Sequence, residues 1–348
     1  MREANAPRDP VCPPAGWRSA ALALVCLAAG ACASLRTAFP PAQVSTAQAR
    51  PVLLADVPFH PQTDHHCGPA ALAGVLGASG VPLAPEALAP QVYLPARQGS
   101  LQVELLAAAR RAGRIPHPVE PTLEALVAEL EAGRPVLVLQ NLLVRSVPRW
   151  HYVVLVGADP RANRVILNSG TQRALPVRAS RFLRTWDWAG RWGFVALRPG
   201  ELPARADAGT YLRAVADFEA VAGPAQAQPA YAAALRRWPA DPRVHLALGN
   251  QAYQAGRRAQ AAAHYRTGLR HAPGDAVLAN NLASVLGELG CVREARAVLD
   301  GVAADGTGPW RERLAQTRRE LDAASRTPAV CRKGEKEEKE EKEEKGSE

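Results

Sequence analysis

Near residue 134 the hydrophobic pattern changes period. Before it, residues 84–90, 100–112 (SLQVELLAAARRA) and 122–132 (TLEALVAELEA) carry apolar side chains at helical spacing. After it, PVLVLQN (135–141), WHYVVLVGAD (150–159), RVILNSG (164–170) and RWGFVALRP (191–199) are short Val-, Leu- and aromatic-rich runs parted by Gly, Pro, Asn and Asp turns. Such runs predict an antiparallel sheet. Helices followed by sheet imply an α+β unit over residues 51–200, with a crevice between its layers. From about residue 208 the helical period returns and persists, so an all-α unit follows. A chain of 348 residues with 47% hydrophobic side chains can fill both cores.

Within the α+β unit, VLLADVPF leads into a polar loop, His60-Pro61-Gln62-Thr63-Asp64-His65-His66, before Cys67-Gly68-Pro69 and the helical run AALAGVLGASG. Cys67 therefore stands at a helix start, with Pro69 in the first turn where its missing N–H costs nothing. Free amides and the positive dipole end there favour a thiolate, which suits a nucleophile. A buried or turn role for Cys67 stands beside that reading. His60, His65, His66 and Cys67 also offer metal-donor types, but four ligands within one short loop do not match a closed zinc site. His65 and His66 read as loop surface or pocket lining, and His117 lies in a Pro-rich connector.

His151 opens a strand, sharing one face with Val153, Leu155 and Gly157, while Tyr152, Val154 and Val156 take the other. If 150–157 and 164–169 form a hairpin across ADPRANR, Asn168 can approach the imidazole. The set then comprises Cys67 as nucleophile, His151 as proton partner and Asn168 as the group orienting the ring, with Gln62 donating to a developing oxyanion. Asn168 as a plain strand end, and Asp159 as the orienting group, are the competing assignments.

QTDHHCGPAAL, the distant WHYVVLVG and then VILNSG together resemble the papain-like cysteine peptidases, specifically the C39-like domains related to the double-glycine leader peptidases of bacteriocin export. The resemblance covers about residues 51–199. It implies a papain-like α+β fold and peptide-bond hydrolysis through an acyl-enzyme, without a cofactor or metal. Gln62, Cys67 and His151 match the family's oxyanion, nucleophile and base positions, and Asn168 falls where an Asp is usual. The chain has no transporter membrane region or nucleotide-binding domain, so leader cleavage does not follow.

In the all-α region Pro239 and Pro273 lie 34 residues apart, and Leu248, Gly249, Gly256, Ala261 and Tyr265 recur between them at the spacing of a tetratricopeptide repeat. The pattern implies three repeats over 208–309, near 208–241, 242–275 and 276–309, whose stacked helices would offer a concave surface to a protein partner. Asn250, Asn280 and Asn281 are candidates for that surface. His245, His264 and His271 suit packing or surface roles. A terminal helix is expected within 310–330, and 331–348 reads as a charged flexible tail. Cys291 reads as a small core residue, with pairing to Cys331 in an oxidising compartment as the alternative.

The apolar run Ala20–Ala31 reads as a secretory signal over 1–31. Ala29-Gly30-Ala31 before Cys32 resembles a bacterial lipobox with Ala29 in place of the usual Leu, implying lipidation at Cys32, membrane attachment and a body facing the periplasm. Residues 32–50 then form a tether. Formal charge is +9, yet every lysine lies at or beyond Lys333 and the remaining cations are scattered Arg, so no phosphate-binding patch forms and nucleic acid is not an expected partner. The leading expectation is an exported, lipid-anchored thiol peptidase acting on a peptide or protein. The alternatives are a degenerate peptidase-like binding or assembly protein, and a thiol enzyme that transfers the acyl group to an amine.

Overall fold

The computed structural model describes residues 50–61, 66–302, 310–324 and 331. The expected signal, tether and charged tail, and with them Cys32, Gln62 and His65, lie outside these residues. Among the described residues no helix is long and apolar enough to cross a membrane.

The first unit contains β1 (Val52–Leu53), α1 (Cys67–Ala78), α2 (Pro85–Val92), β2 (Tyr93–Leu94), β3 (Gly99–Ser100), α3 (Gln102–Arg111), β4 (Ile115–Pro118) and α4 (Leu123–Glu131). β5 (Val136–Asn141), β6 (Trp150–Asp159), β7 (Arg164–Ser169), β8 (Gln172–Arg178), α5 (Ala179–Asp187) and β9 (Gly193–Leu197) complete it. The main sheet has the order β4-β9-β5-β6-β7-β8, with β1 added along the far end of β6, and every pairing in it is antiparallel.

Two elements of this sheet left little trace in the hydrophobic pattern, for one shared reason. β4 and β8 are its edge strands, where a proline's missing N–H can point away from the ladder. Pro116 and Pro118 therefore sit inside β4, and Pro176 inside the largely exposed β8. His117, in what reads as a connector, is thus a strand residue opposite Val195 and only 4% exposed. α5 announces itself only through Phe182 and Trp186, one turn apart and both fully buried.

Helices cover both faces of the sheet. On one side, Leu72 and Leu76 of α1, Leu88 of α2 and Leu105 of α3 pack against Leu137, Tyr152, Val154 and Val156. On the other, Leu126 of α4 and Phe182 of α5 meet Val138, Val153 and Leu155. The expected two-layer arrangement is therefore a sheet between helical layers.

The C-terminal region is helical, with α6 (Ala208–Ala222), α7 (Pro224–Arg237), α8 (Pro242–Gln254), α9 (Arg258–His271), α10 (Ala276–Glu288), α11 (Val292–Asp300) and α12 (Arg311–Ala324). Asp207, Asp241 and Asp275 cap α6, α8 and α10 by accepting first-turn N–H groups, each 34 positions from the next. Glycine permits close packing of α8 on α9, because a Cβ on Gly249 would collide with the Tyr265 ring. The first hairpin does not stand apart: Tyr211, Val215 and Phe218 of α6 and Tyr231 of α7 share one core with Val153 and Phe182 of the sheet unit. Leu278, Leu282, Leu299 and Leu321 belong to a separate distal core. Cys291 and Cys331 form a disulfide.

Candidate functional site

Cys67 is the first residue of α1, whose buried run Gly68–Leu76 anchors the helix on the sheet. A Cβ at Gly68 would collide with the Ser100 hydroxyl, so glycine lets the β2–β3 hairpin close against the helix start. The Tyr152 hydroxyl donates to the Ser100 carbonyl at 3.2 Å, tying that hairpin to β6. The opposite wall comes from the β5–β6 loop. Between them lies a cavity of about 940 Å³ lined by both Cys67 and His151. The helix start and the strand start, 84 residues apart in sequence, thus meet at one cleft.

Burial there disfavours charge on both groups. Burial raises the Cys67 pKa, although N–H groups of Tyr152, Gly68 and Cys67 itself pull it down. The helix-start argument for a resting thiolate is therefore outweighed by desolvation. Burial also lowers the His151 pKa, and the neighbouring Arg149 guanidinium lowers it further. A neutral imidazole lining the same cleft as a neutral thiol can still act as a general base when the sulfur attacks.

The partner of the imidazole is Ser169. His151 Nε2 lies 3.0 Å from Ser169 Oγ. Asn168, by contrast, sits opposite Val154, and its Oδ1 accepts the Ala174 N–H at 3.0 Å. Side-chain alternation explains the difference. Val165 and Leu167 face the core that contains Val153 and Leu155, whereas Ile166 packs against the core of Tyr152 and Val154. Ser169 continues the His151 face, and Asn168 the other one. The β6–β7 register therefore carried the signal that Ser169, not Asn168, approaches the ring. Asp159 pairs with Arg164 at the far end of β6 and accepts the Ala162 N–H in the turn, remote from His151.

The sequence reading also missed the support beneath His151. Its cross-strand neighbour Gln140 is buried, and Gln140 Nε2 donates to Thr185 Oγ1 at 2.7 Å, so α5 locks the residue beside the imidazole. Ser100 Oγ is buried without a hydrogen-bond partner among the described residues, next to the start of α1. Among the described residues no three His, Cys, Asp or Glu side chains gather into a metal-holding group.

The Peptidase_C39 like family matches residues 54–191, the span that contributes both walls of the cleft together with Cys67, His151 and Ser169. This segment is similar to a C39-like domain. No curated protein matches the chain. Among solved structures, a protein assigned as a C39-like peptidase from Bacillus anthracis is similar at 18% identity and a TM-score of 0.37, over 46% of this chain and 100% of that one. That partial likeness carries no functional argument.

Proposed function

We propose that this protein is an exported, lipid-anchored thiol peptidase that cleaves peptide bonds through an acyl-enzyme. The observation carrying this reading is the shared cleft: Cys67 at a helix start and His151 at a strand start line one cavity within the C39-like domain. Cys67 Sγ would attack the substrate carbonyl while His151 accepts the thiol proton and returns it to the leaving amine. The Cys67 N–H would stabilise the oxyanion, with Gln62 as the second donor. Water, deprotonated by His151, then releases the acyl group. Ser169 orients the ring in this scheme, and Asn168 holds the β7–β8 turn.

Export accords with the Cys291–Cys331 disulfide, since such bonds persist in oxidising compartments. Lipidation at Cys32 would set the body on a membrane facing the periplasm. The 34-residue spacing of the helix caps favours tetratricopeptide repeats, with a protein partner on their concave face.

A degenerate binding protein is the second reading, favoured by the hydroxyl at Ser169 where a carboxylate would hold an imidazolium. Thiol labelling followed by mass spectrometry, then turnover of a peptide library, separates the two. Labelling of Cys67 that is slowed by His151→Ala, together with peptide cleavage abolished by Cys67→Ala, supports the peptidase. Absence of cleavage under reducing conditions overturns it. Added amines appearing in the product would indicate transfer in place of hydrolysis. Membrane release on Cys32→Ser tests the anchor, and unchanged attachment rejects it.

A further inference from the structure

Six arginines of the first unit and the linker after it pair with carboxylates: Arg110 with Asp217, Arg134 with Glu129, Arg145 and Arg191 with Asp187, Arg198 with Glu201, and Arg205 with Glu120. Among those that do not, Arg97 and Arg149 are set apart by their position. Both are exposed, both line the cavity that holds Cys67 and His151, and neither has a carboxylate within ion-pair distance among the described residues. No Asp or Glu is among the cavity's described lining residues. The cleft therefore presents two guanidinium groups that no described carboxylate pairs with, each able to grip a carboxylate with paired N–H bonds.

Apolar surface lies directly beside them. Leu101, Leu142 and Trp150 line the same cavity and remain exposed, Trp150 at 53%. Their placement is built into the fold. Asn141, only 1% exposed, donates from Nδ2 to the Val144 carbonyl, and its Oδ1 accepts the N–H groups of Leu143 and Arg149. On the far side of the same loop, Arg145 pairs with Asp187 at 2.7 Å. Arg149 and Trp150 are thus delivered to the cleft by a loop held at both flanks.

We propose that the cleft selects acidic peptides, seating a substrate carboxylate between Arg97 and Arg149 and a neighbouring apolar side chain on Trp150 and Leu142, so that a peptide bond crosses Cys67. This rests on the cleft being the peptide site of the preceding reading and names its substrate class. A carboxylate on Arg149 would also cancel the cation that disfavours charge on His151. The substrate would then contribute the negative charge that Ser169 lacks.

Binding and turnover test this separately. The full chain carrying Cys67→Ala is titrated with three fluorescein-labelled octapeptide pools. One draws each position from Glu, Leu, Phe and Gly, and the others replace Glu by Gln or by Lys. The Glu pool should bind about tenfold tighter than the Gln pool, with the advantage shrinking as salt rises. Arg97→Gln with Arg149→Gln should bring the two pools to parity at an unchanged melting temperature, while Trp150→Ala should weaken both. Equal binding of all pools, or no binding of the Glu pool, overturns the proposal. The same pools with the unmodified protein report cleavage: a Glu preference in binding without turnover would retain the acidic site and remove the peptidase, whereas charge-blind turnover would do the reverse.

Discussion

His151 Nε2 and Ser169 Oγ lie 3.0 Å apart, joining the first strand residue that carries an imidazole to the last residue of its neighbour. A hydroxyl can fix the ring's tautomer and orientation, but it brings no charge to stabilise an imidazolium. Burial raises Cys67 and, with Arg149, lowers His151, which pushes each toward its neutral form.

Replacing Ser169 with Asp supplies the missing charge. A carboxylate at that distance should shift the acid limb of Cys67 labelling toward lower pH by about 1–3 units, measured with iodoacetamide across a pH series. Ser169→Ala should slow any peptide turnover. Asn168→Ala should leave the labelling profile in place and cost stability of about 1 kcal/mol through the lost Ala174 N–H bond. A profile that moves with Asn168 and not with Ser169 would reverse the two assignments.

In the unmodified protein, Cys67 reactivity should climb with pH into the range where the raised thiol ionises, without a plateau below neutrality. Arg149→Gln removes the cation facing His151 and should increase labelling near pH 6. An acidic plateau in the unmodified protein would show a resting ion pair and refute the neutral one.

His117 is buried in β4 with both ring nitrogens unbonded among the described residues, and burial pushes its pKa down to about 4 from 6.5. The unfolded chain takes up the proton first, so this residue's contribution to stability is full above pH 6.5 and falls away as the pH drops toward 4. The loss amounts to about 3 kcal/mol. Denaturant midpoints should therefore decline across that window, and His117→Phe should flatten the decline. An unchanged slope in the variant would exclude His117 as its source.

Glu129, 3% exposed, pairs with Arg134 at 2.6 Å and also accepts the Ala204 N–H, so α4 is fastened to the segment leading into the helical region. Arg134→Ala strands a buried carboxylate and should cost about 3–5 kcal/mol by denaturant unfolding. Adding Glu129→Leu should recover part of that loss. An equal or greater loss in the double variant would show that the pair's geometry, and not the uncompensated charge, dominates.

Reduction of Cys291–Cys331 should destabilise the distal core by about 2–4 kcal/mol while leaving the C39-like cleft intact. Cys67 is the one free thiol among the described cysteines, so labelling before and after reduction also checks the pairing. Equal thiol counts in both states would rule the disulfide out.

The sequence by itself determined what depends on neighbours along the chain. Hydrophobic period placed α1, α3, α4, β5, β6 and β7, and a polar loop before Cys67 marked the helix start that carries that cysteine. The returning helical period located helices from Ala208 onward. Tertiary structure decided what depends on strand register and on burial. β4 and β8 exist because edge strands tolerate proline, and register parity put Ser169 rather than Asn168 beside His151. Desolvation then overrode the helix-start preference for a thiolate, and α6 and α7 joined the sheet's core instead of forming a separate unit. Each outcome turns on which distant residues approach one another, a quantity that local periodicity does not encode.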